Sequence, residues 1–280
     1  MGCVVAAPRE AASMTIDPQE LLRKQKQIMD VVSYKSGVDQ YDPKQQHKST
    51  QEQLIEEVEK ISKKIPLAKV MAPPGVKSYE RASAKVGREY DHDWAKIKDL
   101  NRCTLVVPNK NEIERAYHLV KRHFANISTV KHDGVLLKFH SEKIIRPDGD
   151  SINNPCGYSG YTVFVRTADF KKAEIQINYP AMLYAKSLPE FRDTCGEHMV
   201  GEMWAKYAPV PGGLGHKMYE GWQNNQQTQI GRDYAVACKL YYDYFQSPIL
   251  DRAKGRKALE AVRKLNMPGV AIRPPTRGSH

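Results

Sequence analysis

Two neighbouring segments constrain the fold more than any other part of the chain: Cys156-Gly-Tyr-Ser-Gly-Tyr-Thr-Val-Phe-Val-Arg166 and Lys172-Ala-Glu-Ile-Gln-Ile-Asn178. Each has the β-branched and aromatic content of a strand, and a short polar turn separates them. Side chains alternate between the two faces of a strand. Glu174, Gln176 and Asn178 therefore share one face, and Ile175 and Ile177 share the other. The isoleucines anchor the strand in a core while a carboxylate and two amides line the opposite surface. Tyr158, flanked by Gly157 and Gly160, opens the first strand.

A further buried strand is expected at Cys103-Thr-Leu-Val-Val107, and strands over 127–140, most clearly Val135–Phe139. Helical spacing predicts helices over about 18–32, from Thr50 past Ile61, and over about 78–88. It predicts another after Asn109 or Asn111, and four more over 180–186, 196–207, 229–246 and 251–265. Residues 1–15 read as a disordered tail, 36–48 as a loop and 141–156 as a polar loop. The resulting order predicts an α+β fold, a mixed sheet flanked by helices, with helical extensions at both ends. The expected division is 1–48 tail and helix, 49–225 catalytic domain, and 226–280 helical extension and tail.

Hydrophobic content of 41% and charged content of 27% are globular values. The net charge of +11 points to an anionic partner: a nucleotide, a nucleic acid or an acidic protein. No apolar run has the length of a membrane span. The five cysteines are odd in number and lack metal-type spacing, which suits a reducing compartment better than a disulfide framework. The start Met-Gly-Cys carries Ala6 where a myristoylation signal has Ser or Thr. No cleaved signal peptide is expected.

Residues four apart on a helix share a face, so Lys77, Arg81 and Lys85 form either a cationic stripe for a polyphosphate or an ordinary solvated surface. Asp99, just before a buried strand, is either a metal-holding acid or a turn aspartate paired with Arg102. Glu174 is either a metal ligand or base on a built surface, or part of a polar hairpin face. His216 and Tyr219 share a helical face and are either site residues or structural ones.

Taken together, these motifs resemble the synthetase domain of the RelA/SpoT family, the alarmone pyrophosphokinases. Lys77 and Lys85 match its two lysines eight apart, and Asp99 its magnesium-binding acid. Gly157-Tyr158 matches the start of its Gly-Tyr-Arg-Ser-x-His motif. Glu174, Gln176 and Ile177 match its Glu-x-Gln-Ile-Arg, and His216 and Tyr219 its His-x-x-Tyr-Lys. The match covers roughly residues 50–225. Ser159, Gly160 and Thr162 replace the Arg, Ser and His after the tyrosine, Asn178 replaces the last Arg, and Thr104 stands where the family has another Arg.

The resemblance implies transfer of the β,γ-pyrophosphate of ATP to the ribose 3′-hydroxyl of a purine nucleotide, with Mg²⁺ as cofactor. Lys77, Arg81, Lys85 and Arg102 would bind ATP, and Asp99 and Glu174 would hold the metal. Asp99, Glu174 and Gln176 would be the catalytic set. Tyr158, Asn178, His216 and Tyr219 would face the acceptor. Guanine and adenine nucleotides remain open as acceptors, with the 3′ end of tRNA and a non-catalytic RNA-binding module as alternatives. The family's metal-dependent hydrolase domain is not expected, since His92-Asp93 is a lone pair. That pattern resembles the toxic members. It implies action in the cytoplasm of a target cell, secretion without a cleaved signal, and an acidic immunity or antitoxin partner.

Overall fold

The computed structural model describes residues 50–72, 78–126, 137–145, 155–166, 172–247 and 249–267. The expected first helix, the loop at 36–48 and Lys77 lie outside these residues, as do 127–136 and 146–154.

Five strands form one sheet in the order β1-β2-β5-β4-β3: β1 (Lys69–Met71), β2 (Asn101–Val106), β3 (Lys138–Ile145), β4 (Gly160–Arg166) and β5 (Lys172–Asn178). β2 and β5 run parallel, and the other pairs are antiparallel, so the sheet is mixed as expected. Cys103, Leu105, Val163, Val165, Ile175 and Ile177 are at most 1% exposed and form one face. They pack beneath α1 (Thr50–Ser62) and α3 (Glu112–Asn126). Full burial of each large aliphatic chain contributes roughly 1.5–3 kcal/mol, which fixes the register because a one-residue slip would turn the polar set inward.

Beside the sheet lie α2 (Tyr79–Glu89), α4 (Pro180–Lys186), α5 (Leu188–Cys195), α6 (Glu197–Tyr207), α7 (Gly215–Asn224), α8 (Gln229–Gln246) and α9 (Arg252–Lys264). Ser78 caps α2 by accepting from the Arg81 N–H. Of the expected stripe, Arg81 and Lys85 lie on α2, and Lys77 falls outside the described residues.

Three expectations change. Residues 141–145 continue β3 rather than forming a loop, because pairing with β4 outweighs their polar composition on an edge strand. The short β1 follows Pro66 and covers the edge of β2 from Thr104 to Val106. α5 was not expected; Ser187 caps it by accepting from Glu190 N–H, with Pro189 in its first turn. Helices α8 and α9 share the core with the sheet through Tyr241, Tyr242, Phe245, Leu259 and Val262. One continuous core thus crosses the expected boundary at residue 225.

Candidate active site

The open face of the sheet carries the polar set. Its registers place Arg102 beside Glu174, and Thr104 and Thr162 on either side of Gln176. β1 stops at Thr104, and Gln51 covers the next step of the β2 edge. Its amide donates to the Arg102 carbonyl and accepts from the Arg102 N–H, both at 2.9 Å. A side chain thus takes the place of a neighbouring strand where β2 enters the site.

Asp99 lies two residues before β2, with only 6% exposure. Lys85 reaches it from α2, Nζ to Oδ2 at 2.9 Å, with Glu89 at 3.8 Å. Burial lowers the proton affinity of Lys85, but the charge and hydrogen bond of Asp99 outweigh it, and the ammonium is held above its ordinary value. Burial raises the Tyr90 hydroxyl, which also feels Lys85, Glu89, Asp99 and Glu174. The Lys85 contact ties α2 to Asp99 at the entry to β2. Asp99 pairs with Lys85, whereas a turn pair with Arg102 was the alternative.

Glu174 is extended by a relay that sequence reasoning missed. Gln176 Nε2 donates to Glu174 Oε1, and Lys186 Nζ donates to Gln176 Oε1 at 3.4 Å. Lys186 also pairs with Glu190 at 3.0 Å. Burial pulls Lys186 down, yet the neighbouring Tyr158 and Glu190 carry it above the usual lysine value. A signal was present: Lys186 and Glu190 are four apart across a Ser-Leu-Pro helix junction. Nothing local ties them to Gln176.

Tyr158 is half-buried, its ring edge-on to Tyr242 at 5.4 Å, and its hydroxyl accepts from Asn178 Nδ2 at 2.9 Å. Asn178 is fully buried, and its Oδ1 accepts from the Tyr179 N–H. Both ends of the Asn178 amide are thus engaged inside the protein, and its Nδ2 holds the Tyr158 hydroxyl. His216 is exposed and 3.3 Å from Glu220, and Tyr219 accepts from Gln223. Arg81 is exposed on α2.

Among the described residues no group of three or more His, Cys, Asp or Glu gathers as a metal cluster. A magnesium ion shared with a polyphosphate needs only one or two carboxylates, with phosphate and water oxygens completing its shell. Asp99 and Glu174 are hard oxygen donors, the donor chemistry that such an ion takes.

No family model matches the chain. Over 175 residues, 62% of the chain, it is 33% identical to the (p)ppApp synthetase toxin Tas1 of Pseudomonas aeruginosa strain UCBPP-PA14. The matched stretch is 35% of that protein, so the chain spans about a third of the relative's length. It also matches the crystal structure of the Type VI effector Tas1 in complex with its immunity protein. There the TM-score is 0.56 at 28% identity, covering 74% of this chain and 91% of that one. The resemblance to a RelA/SpoT-type synthetase domain is thereby shown. A looser likeness, TM-score 0.39 at 13% identity, is to small alarmone synthetase 1 of Bacillus subtilis bound to pppGpp, covering 87% of this chain and 97% of that one.

Proposed function

We propose that this chain is an ATP-dependent nucleotide 3′-pyrophosphokinase that acts on adenine nucleotides, making (p)ppApp-type products as a toxin. The observation that carries this reading is the Lys85–Asp99 pair beside the Glu174–Gln176–Lys186 relay. It occurs in a chain 33% identical to a (p)ppApp synthetase toxin. Lys77, Arg81, Lys85 and Arg102 neutralise the ATP phosphates. Asp99 and Glu174 hold Mg²⁺, which when bound offsets charge on the phosphates and on the departing AMP.

Glu174 takes the proton of the acceptor 3′-hydroxyl, oriented by Gln176, whose own amide is fixed by Lys186. The 3′-oxygen bonds to the β-phosphorus, the bond from that phosphorus to the oxygen bridging it to the α-phosphate breaks, and AMP leaves with that oxygen. Tyr158 stacks the acceptor base, and His216 and Tyr219 close the far side from α7. The catalytic unit is taken as 49–225, packed on the 226–280 helices. Its site of action is the cytoplasm of a recipient cell. The net charge of +11 supports an acidic immunity partner.

The test is incubation with γ-labelled ATP and Mg²⁺ alongside AMP, ADP, ATP, GDP, GTP or bulk tRNA. Labelled adenine products are expected. Label on guanine nucleotides alone would reassign the acceptor, label on tRNA would favour the tRNA-modifying alternative, and no labelled product from any acceptor would remove the reading.

A further inference from the structure

One face of α8 cradles the turn that carries Tyr158. Gln246 Nε2 donates to the Gly157 carbonyl at 2.7 Å, and Ser159 Oγ donates to Gln246 Oε1 at 3.0 Å. A single buried amide thus grips the residues on both sides of Tyr158. Four residues earlier on the helix, Tyr242 packs edge-on against the Tyr158 ring. A turn before that, Lys239 approaches Gly157 so closely that a Cβ there would lie 3.0 Å from the Lys239 Cα. Gly157 also has φ of +73°, so glycine meets both a backbone and a packing requirement. The Cys238 thiol lies against that of Cys156, the residue entering the turn. Positions 238, 239, 242 and 246 fall on one helical face.

These contacts engage both the nitrogen and the oxygen of the Gln246 side-chain amide. Gln246 is only 7% exposed and Ser159 only 4%, so neither reaches a ligand directly. Ser159 stands where the resembling family has an arginine, and here it points into the protein. We propose that Gln246 is a positioning residue, which sets the Tyr158 ring for the acceptor base through the Gly157–Ser159 turn. The proposal rests on the pyrophosphokinase reading of the site.

The test compares Gln246→Ala and Ser159→Ala with a control on the same helix, Tyr244→Phe, which removes the buried bond from the Tyr244 hydroxyl to the Tyr207 carbonyl. In Gln246→Ala the acceptor KM rises roughly tenfold while the ATP KM stays put, as loss of a buried bridging amide predicts. Ser159→Ala removes only one of the two bonds, gives a rise of about threefold and carries the test if Gln246→Ala fails to fold. Tyr244→Phe moves neither constant. Amide hydrogen exchange across 157–162 quickens in the two turn variants and not in the control.

An acceptor KM unmoved in an active, folded Gln246→Ala would overturn the proposal, as would an equal rise in Tyr244→Phe. If the wild-type chain labels no acceptor, the functional reading falls first. Exchange then decides whether Gln246 holds the turn at all, and unchanged protection in Gln246→Ala would overturn that too.

Discussion

The two halves of the candidate site are held by different physics. On the α2 side, Lys85, Asp99 and Glu89 form a charged set, and Glu174 reaches a second ion pair through Gln176 and Lys186. On the Tyr158 side neutral, buried contacts do most of the fixing, Asn178 to the hydroxyl, Tyr242 to the ring and Gln246 to the turn, with the Lys186 charge near the hydroxyl. Charges oriented before the substrate arrives suit a polyphosphate, whose own charge must be offset. Neutral contacts suit a flat base, which needs a rigid surface more than a field. The difference separates donor chemistry from acceptor placement, and variants in the two halves should fail in different ways.

The strongest test of that division is Glu174→Gln. The amide keeps the shape of the carboxylate but neither takes a proton nor carries charge to a cation. Turnover should fall by roughly 10³ with the melting temperature little changed, as measured by labelled-product formation and calorimetry. Retained turnover would place the chemistry elsewhere and dissolve the comparison.

Lys85→Met tests the same half through stability. It leaves Asp99 in a site where its side chain is only 8% exposed, without its ammonium partner. Removing one partner of a buried ion pair costs several kcal/mol, and the 22% exposure of Lys85 reduces this to about 2 kcal/mol in chemical denaturation. The pH dependence has a definite sign. Folding raises the Lys85 value above its ordinary 10.5, so the stabilisation is fully present below that pH and disappears as pH climbs through the higher folded value. The gap between wild type and Lys85→Met should be flat through neutrality and close only in strong alkali. A gap that closes near pH 7 would mean that another group supplies the stabilisation.

The same division decides how much was legible in the chain. The charged half speaks through local spacing: Arg81 and Lys85 four apart, Asp99 before a β-branched run, Glu174 and Gln176 alternating with isoleucines. Period and spacing read such features directly. The neutral half depends on contacts between distant residues. Gln246 meets Gly157 from 89 positions away, and in the charged half Gln51 meets Arg102 just as remotely, from 51. Glutamine on an amphipathic helix gives no sign of what it will bond, so Gln51 and Gln246 went unseen. The same holds for Asn178: alternation gives its strand face, but not its burial or its bonds to Tyr158 and Tyr179. The two terminal helices, with strong apolar periodicity, were placed within a residue of Gln229–Gln246 and Arg252–Lys264, while the three-residue β1 had no pattern to read.

Tyr158→Phe probes the neutral half gently. It deletes the acceptor of the Asn178 amide and leaves that buried N–H unpaired, costing about 1 kcal/mol. The acceptor KM should rise by a factor of roughly three to five, because the ring stays against Tyr242 but loses one fixing point. The ATP KM should not move, and a rise in both would show that the two halves are not separable.

Arg81→Ala should have the smallest effect and gives the cleanest contrast with Tyr158→Phe. Arg81 is exposed on α2, and apart from its backbone bond to the Ser78 cap its part in the fold is slight. Folding should be unchanged, and the ATP KM should rise about threefold at low ionic strength, since an exposed cation facing a phosphate contributes well under 1 kcal/mol. Salt then separates the two mechanisms. With a screening length of about 10 Å at 0.1 M, most of the Arg81 effect should vanish between 0.02 and about 0.3 M salt. The Tyr158→Phe effect, carried by a short buried hydrogen bond, should persist across that range. Equal salt sensitivity in the two variants would show that the Tyr158 side is also governed by charge, and that the contrast in side chains does not carry into binding.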